Sequence, residues 1–219
     1  KSLSVPSDPL KGITNGIALV CREMGLDEDS LISQCTRIVH GNTIGTNAII
    51  QRNGPVTGLL GTKGFRDVLE FMDGTKPDPF DLRMERPKPL VPRYLRLGIG
   101  GRIDYSGKEV DALVETDIID AIELFQKEKV ESIAVAYLWS QVNPIHEQKT
   151  REILGLHLPD VPVLLSSDVL PQLREWDRTS ASVLCAYTYP AVAGYLNRFR
   201  KYLAGHGFQS EPLIIQCNG

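Results

Sequence analysis

The stretch SIAVAYLWSQVNPIHEQKTREIL, residues 132–154, decides the fold class. Ser132 to Leu138 is a short apolar run of small and β-branched side chains, the pattern of a strand buried on both faces. Asn143-Pro144 follows. Asparagine is a favoured N-cap and proline a favoured first-turn residue, so a helix opens there and runs through Leu154. Working outward, Val161 to Ser166 reads as another buried strand and Val56 to Thr62, VTGLLGT, as a third. A helix capped by Thr116 carries Ile118, Ile122 and Phe125 on one face. Strands alternating with helices imply a largely parallel sheet covered by helices, the α/β class.

The flanks fit the same plan. Pro9 to Gly25 reads as a first helix, with Ile13, Ile17, Val20 and Met24 at helical steps and Gly25 as its cap. Arg37 to Val39 is strand-like, residues 43 to 53 are helical, and Asn53-Gly54-Pro55 stops them. Phe65 to Met72 reads as a short helix, and Leu95 to Val110 as a hairpin turning at Tyr105-Ser106-Gly107-Lys108. Between them, residues 73 to 93 hold Gly74, Pro77, Pro79, Pro87, Pro89 and Pro92 and form an extended loop. Its Arg83, Arg86, Lys88 and Arg93 are either solvated or face an acidic partner. A long helical region runs from about Glu175 to His206, with a possible break at Pro190, and Leu213 to Gln216 is the final strand.

With 219 residues the chain can bury a core without staples. Net charge is −3 and no basic stripe is visible, which argues against nucleic acid. No apolar run approaches the roughly 20 residues of a membrane span. Cys21, Cys35, Cys185 and Cys217 are widely spaced, without a C-x-x-C pair, and read as reduced thiols of a cytoplasmic protein. Lys1 to Val5 reads as the tail of a strand, and Gly219 directly follows one. The expectation is therefore an internal piece of a longer protein.

Two familiar motifs fail on inspection. His146-Glu147 begins an H-E-x-x-H pattern whose last place is Thr150, so His146 reads as an exposed first-turn residue and Glu147 as favoured by the helix dipole. Gly98-Ile99-Gly100-Gly101 lacks the third glycine of a dinucleotide loop and reads as a bulge or turn. RIVHGNTIGTNAIIQRNG, residues 37–54, is more informative. It places a strand end, small polar residues and a helix start together. Free backbone N–H groups there attract anions, and His40, Thr43, Thr46 and Asn47 would add side-chain donors. The plainer reading is a helix cap by Asn42 or Thr43 with His40 bonded to a loop carbonyl, and caps far outnumber anion sites. LREWDRTSAS, residues 173–182, crowds Glu175, Asp177, Arg178, Thr179 and Ser180 at a helix start. That is either a solvated, salt-bridged face or a wall of polar groups lining a cleft. Trp176 within it reads as core.

Together, HGNTIGTNAIIQRNGPVTGLLGTKGFRDVLEF, PKPLVPRYLRLGIGGRIDYSGKEV, NPIHEQ, LREWDRTSASVLCAYTYP and LIIQCNG resemble the hydantoinase A/oxoprolinase family, from about Pro6 to Gly219. The family includes N-methylhydantoinase, 5-oxoprolinase, caprolactamase and the acetone and acetophenone carboxylase subunits, and the last is the nearest in character. The resemblance implies an actin-like, ATP-using fold related to sugar kinases and Hsp70. It implies phosphate loops outside this chain, with residues 1–165 as an N-terminal region and 166–219 opening a second actin-like region. It further implies ATP, a divalent metal such as Mg, a hydantoinase-B-like partner subunit and a hetero-oligomer. Its chemistry is phosphorylation of a poor electrophile followed by carboxylation or by cyclic-amide hydrolysis. His40, Thr43 and Asn47 are the first candidates for the catalytic site, Glu175, Arg178 and Thr179 the second, and Asn218 and Gly219 fringe the nucleotide. The chain departs from the family pattern at Asn42, Trp176 and Cys217, where members often carry Thr, Tyr and Ser. A catalytically silent scaffold subunit is the alternative from another class, and a sugar or acid kinase a third.

Overall fold

A computed structural model describes residues 2–3, 5, 8–73, 80–81, 83 and 87–215. In chain order the elements are α1 (Pro9–Met24), α2 (Glu28–Ser33), β1 (Val39–His40), α3 (Ile44–Gln51), β2 (Thr57–Thr62) and α4 (Val68–Phe71). A 3-10 turn, Arg93–Leu95, leads into β3 (Arg96–Ile99), β4 (Arg102–Ile103) and β5 (Glu109–Asp111). Then come α5 (Glu115–Lys127), β6 (Ser132–Ala136), α6 (Ile145–His157), β7 (Val163–Leu165), α7 (Ser166–Val169), α8 (Glu175–Gly205) and β8 (Leu213–Ile214). The chain divides into two compact units, Ala48–Pro190 and Lys1–Asn47 with Ala191–Gly219. Both α3 and α8 contribute residues to each unit, and α8 runs unbroken through Pro190.

The larger unit is built on a four-stranded parallel sheet in the order β3-β2-β6-β7. Every residue of β2 and of β6 is buried, as strands flanked on both sides and covered on both faces must be. Ile118, Ala121, Ile122 and Phe125 of α5 and Ile153 and Leu154 of α6 complete the core with Val183 and Ala186 of α8. Gly58 is required by packing: a Cβ there would lie 2.5 Å from the Phe125 ring. The smaller unit pairs β1 with β8 in parallel, Val39 opposite Leu213 and His40 opposite Ile214. Ile32, Phe199, Leu203 and Phe208 form its core.

Three expectations need correction. Leu95 to Val110 is not one hairpin. Arg96–Ile99 joins the parallel sheet beside β2, and only β4 and β5 form the antiparallel pair. The chain turns between the two at Gly101, whose φ of 127° suits glycine. Thr116 makes no capping hydrogen bond and lies inside α5, whose N-cap, Val114, stands two residues before the expected one. His146 and Glu147 are both buried, for reasons set out below. Cys217 and much of the proline-rich loop, residues 74–79, 82 and 84–86, lie outside the described residues.

Candidate functional site

In the smaller unit, β1 delivers His40 half-buried between aromatic rings. Its ring centroid lies 5.6 Å from that of Tyr195 and 5.0 Å from that of Phe199. His40 Nε2 and the Tyr195 hydroxyl are 2.7 Å apart, so the imidazole bonds a phenol rather than a loop carbonyl. Burial pushes the His40 pKa down, which keeps the ring neutral. Asn42 Oδ1 accepts from Ile44 N at 3.2 Å, which supplies the cap expected of this junction. Thr43 and Asn47 are exposed on the first turn of α3, and Asn47 Nδ2 donates to Thr43 Oγ1 at 3.3 Å. His40, Thr43 and Asn47 thus share one strand-to-helix junction. Asn218 and Gly219 lie outside the described residues.

In the larger unit, β2 and β6 are neighbours, but the chain leaves them in opposite directions. The next strand after β2 is β3 on one side, and the next after β6 is β7 on the other. In open α/β sheets such a switch point opens a crevice beyond the carboxyl ends of the strands. A narrow slot is found there, lined by Thr62 at the end of β2, Tyr137 and Leu138 after β6, and Glu175, Arg178 and Thr179 of α8. It has room for about one water-sized group. The second set of candidate residues is therefore brought together as a wall of this slot.

Arg178 is 2% exposed. Its Nη2 donates to the Tyr137 carbonyl at 2.6 Å, while Nε and Nη1 are buried without a hydrogen-bond partner. Burial pulls its pKa down, and the charges of Glu147 and Glu175 pull it back up. Thr179 is buried beside it, and Glu175 is partly exposed. Neither of these two side chains makes a hydrogen bond among the described residues.

Behind the slot lies a buried polar network that sequence reading missed. Glu147 is fully buried and accepts from Tyr137 N at 2.9 Å, Ser166 Oγ at 2.5 Å, Ser167 N at 2.9 Å and Ser167 Oγ at 2.7 Å. Glu147 and Arg178 thus hold the N–H and the C=O of the same residue, Tyr137. Leu138 N donates to Thr62 Oγ1 at 3.0 Å, tying the two strand ends together. His146 turns the other way and pairs with Glu109 of β5 at 2.7 Å. Arg96, also buried, bonds the Val91 carbonyl and Glu70. The available signal is the His146-Glu147 pair just after the Asn143-Pro144 helix start, where a first-turn position predicts an exposed His146 and, for Glu147, only a favourable contact with the helix dipole.

Among the described residues no group of three His, Cys, Asp or Glu side chains converges to hold a metal ion. The slot does not fit a nucleotide triphosphate either. Its one guanidinium lies near two carboxylates, and the space takes only one oxygen-sized group.

Residues 1–158 match the family model described as the hydantoinase/oxoprolinase N-terminal region. The chain belongs to the hydantoinase/oxoprolinase family. One family relative, caprolactamase subunit alpha of Pseudomonas jessenii, is 37% identical across the whole chain. The acetophenone carboxylase gamma subunit of Aromatoleum aromaticum is 30% identical, also across the whole chain. The chain spans 32% of the length of each of these relatives. The crystal structure of the ATP-dependent caprolactamase of Pseudomonas jessenii superposes on the whole chain with a TM-score of 0.91 at 36% identity, covering 32% of that chain. This hydantoinase/oxoprolinase-family neighbour has an actin-like ATPase-type fold, so the fold class expected from the resemblance holds. No helix among the described residues is long and apolar enough to cross a membrane.

Proposed function

We propose that the chain is part of an ATP-dependent, cytoplasmic enzyme subunit that activates a cyclic amide by phosphorylating its carbonyl oxygen. Hydrolysis then follows together with a hydantoinase-B-like partner in a hetero-oligomer. The observation that carries this reading is the 37% identity over the full chain to a caprolactamase alpha subunit. The switch-point slot supports it, because a buried guanidinium with unused N–H groups suits the carbonyl oxygen of a neutral amide. Glu175, Arg178 and Thr179 are the residues we assign to docking that neutral amide, Arg178 and Thr179 on the side of its oxygen and Glu175 on the side of its N–H. His40, Thr43 and Asn47 are assigned to a separate anion contact within their own unit, where His40 holds the junction through Tyr195 and the exposed Thr43 and Asn47 offer side-chain donors. ATP and a divalent metal such as Mg would supply the phosphoryl group and neutralise its charge. Asn218 and Gly219, which lie outside the described residues, are assigned to the edge of their cradle. Residues 166–219 would then open the second actin-like region.

A second reading, an acetophenone-carboxylase-like subunit, is favoured by the 30% identity to the gamma subunit of that enzyme. Phosphate release by the full-length protein with its partner subunit separates the two readings. Release that rises with a lactam and ATP supports cyclic-amide activation. Release that needs a ketone and bicarbonate supports carboxylation. Release in neither case leaves the silent scaffold as the better account.

A further inference from the structure

The charges around the switch-point slot restrict what can enter it. Arg178 is the cation, and both Glu147 and Glu175 act on it electrostatically. Glu147 is saturated by four donors and turned towards Ser166 and Ser167. Glu175 has no hydrogen bond among the described residues and lines the slot. With one positive and two negative groups, the locality does not favour an anion. It favours a neutral ligand that offers an acceptor to Arg178 and a donor to Glu175. The slot takes about one oxygen-sized group, so a single acceptor atom enters it and the neighbouring N–H stays at its mouth, beside the partly exposed Glu175. Arg178 is fixed in position, because its Nη2 is anchored on the Tyr137 carbonyl and that residue is held through its N–H by Glu147.

We infer that the slot reads the C(=O)–N–H edge of a secondary cyclic amide, with Arg178 donating to the carbonyl oxygen and Glu175 accepting from the ring N–H. This rests on the cyclic-amide reading and deepens it by naming the residues that tell a lactam from a ketone. A ketone or an N-alkylated lactam presents the oxygen but leaves Glu175 without a donor. A site built to bond an N–H rejects analogues that lack it far better than a site built only on shape.

The test is a ligand-observed NMR titration of the full-length protein with its partner subunit. The probes are five-, six- and seven-membered lactams, their N-methyl derivatives and the cyclic ketones of the same ring sizes. At least one lactam is expected to bind about tenfold more tightly than both of its counterparts. Glu175→Met keeps the side-chain length and removes the acceptor. It is expected to abolish that preference by bringing lactam affinity down to that of the ketone and the N-methyl lactam. Arg178→Lys is expected to weaken all three classes. Because Arg178 also holds Tyr137, the Glu175→Met arm decides the matter if the lysine variant does not fold. Equal binding of the three classes by the wild type overturns the inference, as does a lactam preference that survives in Glu175→Met. Phosphate release is followed in parallel. Lactam-stimulated release with an unaltered preference in Glu175→Met means that the inference fails while the cyclic-amide reading stands. Selective lactam binding through Glu175 without phosphate release supports the inference and removes the ATP-coupled reading.

Discussion

Replacing Glu147 by alanine removes one carboxylate that four donors share. The hydroxyls of Ser166 and Ser167 can rotate, and Ser166 already lies 3.0 Å from Ser140 Oγ. The N–H groups of Tyr137 and Ser167 cannot move without breaking the end of β6 or the start of α7. Each buried donor left without an acceptor costs about 1–3 kcal/mol, so the two together cost about 2–6 kcal/mol. Arg178 also loses one of the two carboxylates that favour its charge. The expected loss is therefore about 3–6 kcal/mol, a large share of a domain's stability. In urea, with a slope of about 2–3 kcal/mol/M, the unfolding midpoint of the larger unit falls by about 1–3 M. Glu147→Gln retains one acceptor oxygen and should lose about half as much. Ser140→Ala removes only a hydroxyl–hydroxyl bond and should cost about 0.5–1.5 kcal/mol. An alanine variant whose midpoint stays within about 0.5 M of the wild type would refute the view that Glu147 holds the wall of the slot.

Three further outcomes are expected. Gly58→Ala drives a Cβ into the Phe125 ring on a fully buried strand, so it should cost about 1–3 kcal/mol and lower Tm by about 3–10 °C, whereas Gly155→Ala, in open space on α6, should leave Tm unchanged or slightly higher. His40 has a folded pKa below its unfolded value of about 6.5, so the unfolded state binds more protons as pH falls through that value. Its contribution is complete above pH 6.5 and is lost as pH falls towards the folded pKa. An NMR titration of the His40 ring should show a midpoint below 6.5, and His40→Phe should remove that part of the pH dependence. Thr43→Val should change stability by less than about 1 kcal/mol, because the Asn47 bond it removes is exposed. If the junction contacts ligand, the same variant lowers the turnover of the full-length protein more than tenfold; unchanged turnover per folded molecule reduces the junction to a cap.

What could be read from the sequence was whatever repeats along it. The apolar runs of β2 and β6, the one-sided stripe of α5 and the Asn143-Pro144 helix start each carry their own period or cap. The structure places them within a residue or two of expectation. What was hidden depends on partners far along the chain. Arg96 begins β3 and is buried because the Val91 carbonyl and Glu70 receive it, and nothing local distinguishes it from a loop arginine. A first-turn position predicts an exposed His146, yet Glu109, 37 residues earlier, draws it inward. Glycines at 98, 100 and 101 hid the change from a parallel strand to a separate hairpin. For the site, LREWDRTSAS was legible as a polar cluster at a helix start. That Arg178 faces the sheet's switch point follows only from the strand order, which no local pattern encodes.

The central claim is activation of substrate by phosphorylation of its carbonyl oxygen, and oxygen tracing tests it most directly. The full-length protein and its partner subunit are given ATP and a lactam labelled with 18O at the carbonyl, in unlabelled water. If the carbonyl oxygen attacks the γ-phosphorus, a first water adds at carbon, the C–N bond breaks with protonation of the nitrogen and an acyl phosphate is left; a second water at that carbon then expels the labelled oxygen with the phosphate. The account predicts one 18O in each inorganic phosphate released, seen as an isotope-shifted 31P resonance, and a product carboxylate that has lost its label. Unlabelled phosphate together with a labelled carboxylate would contradict it.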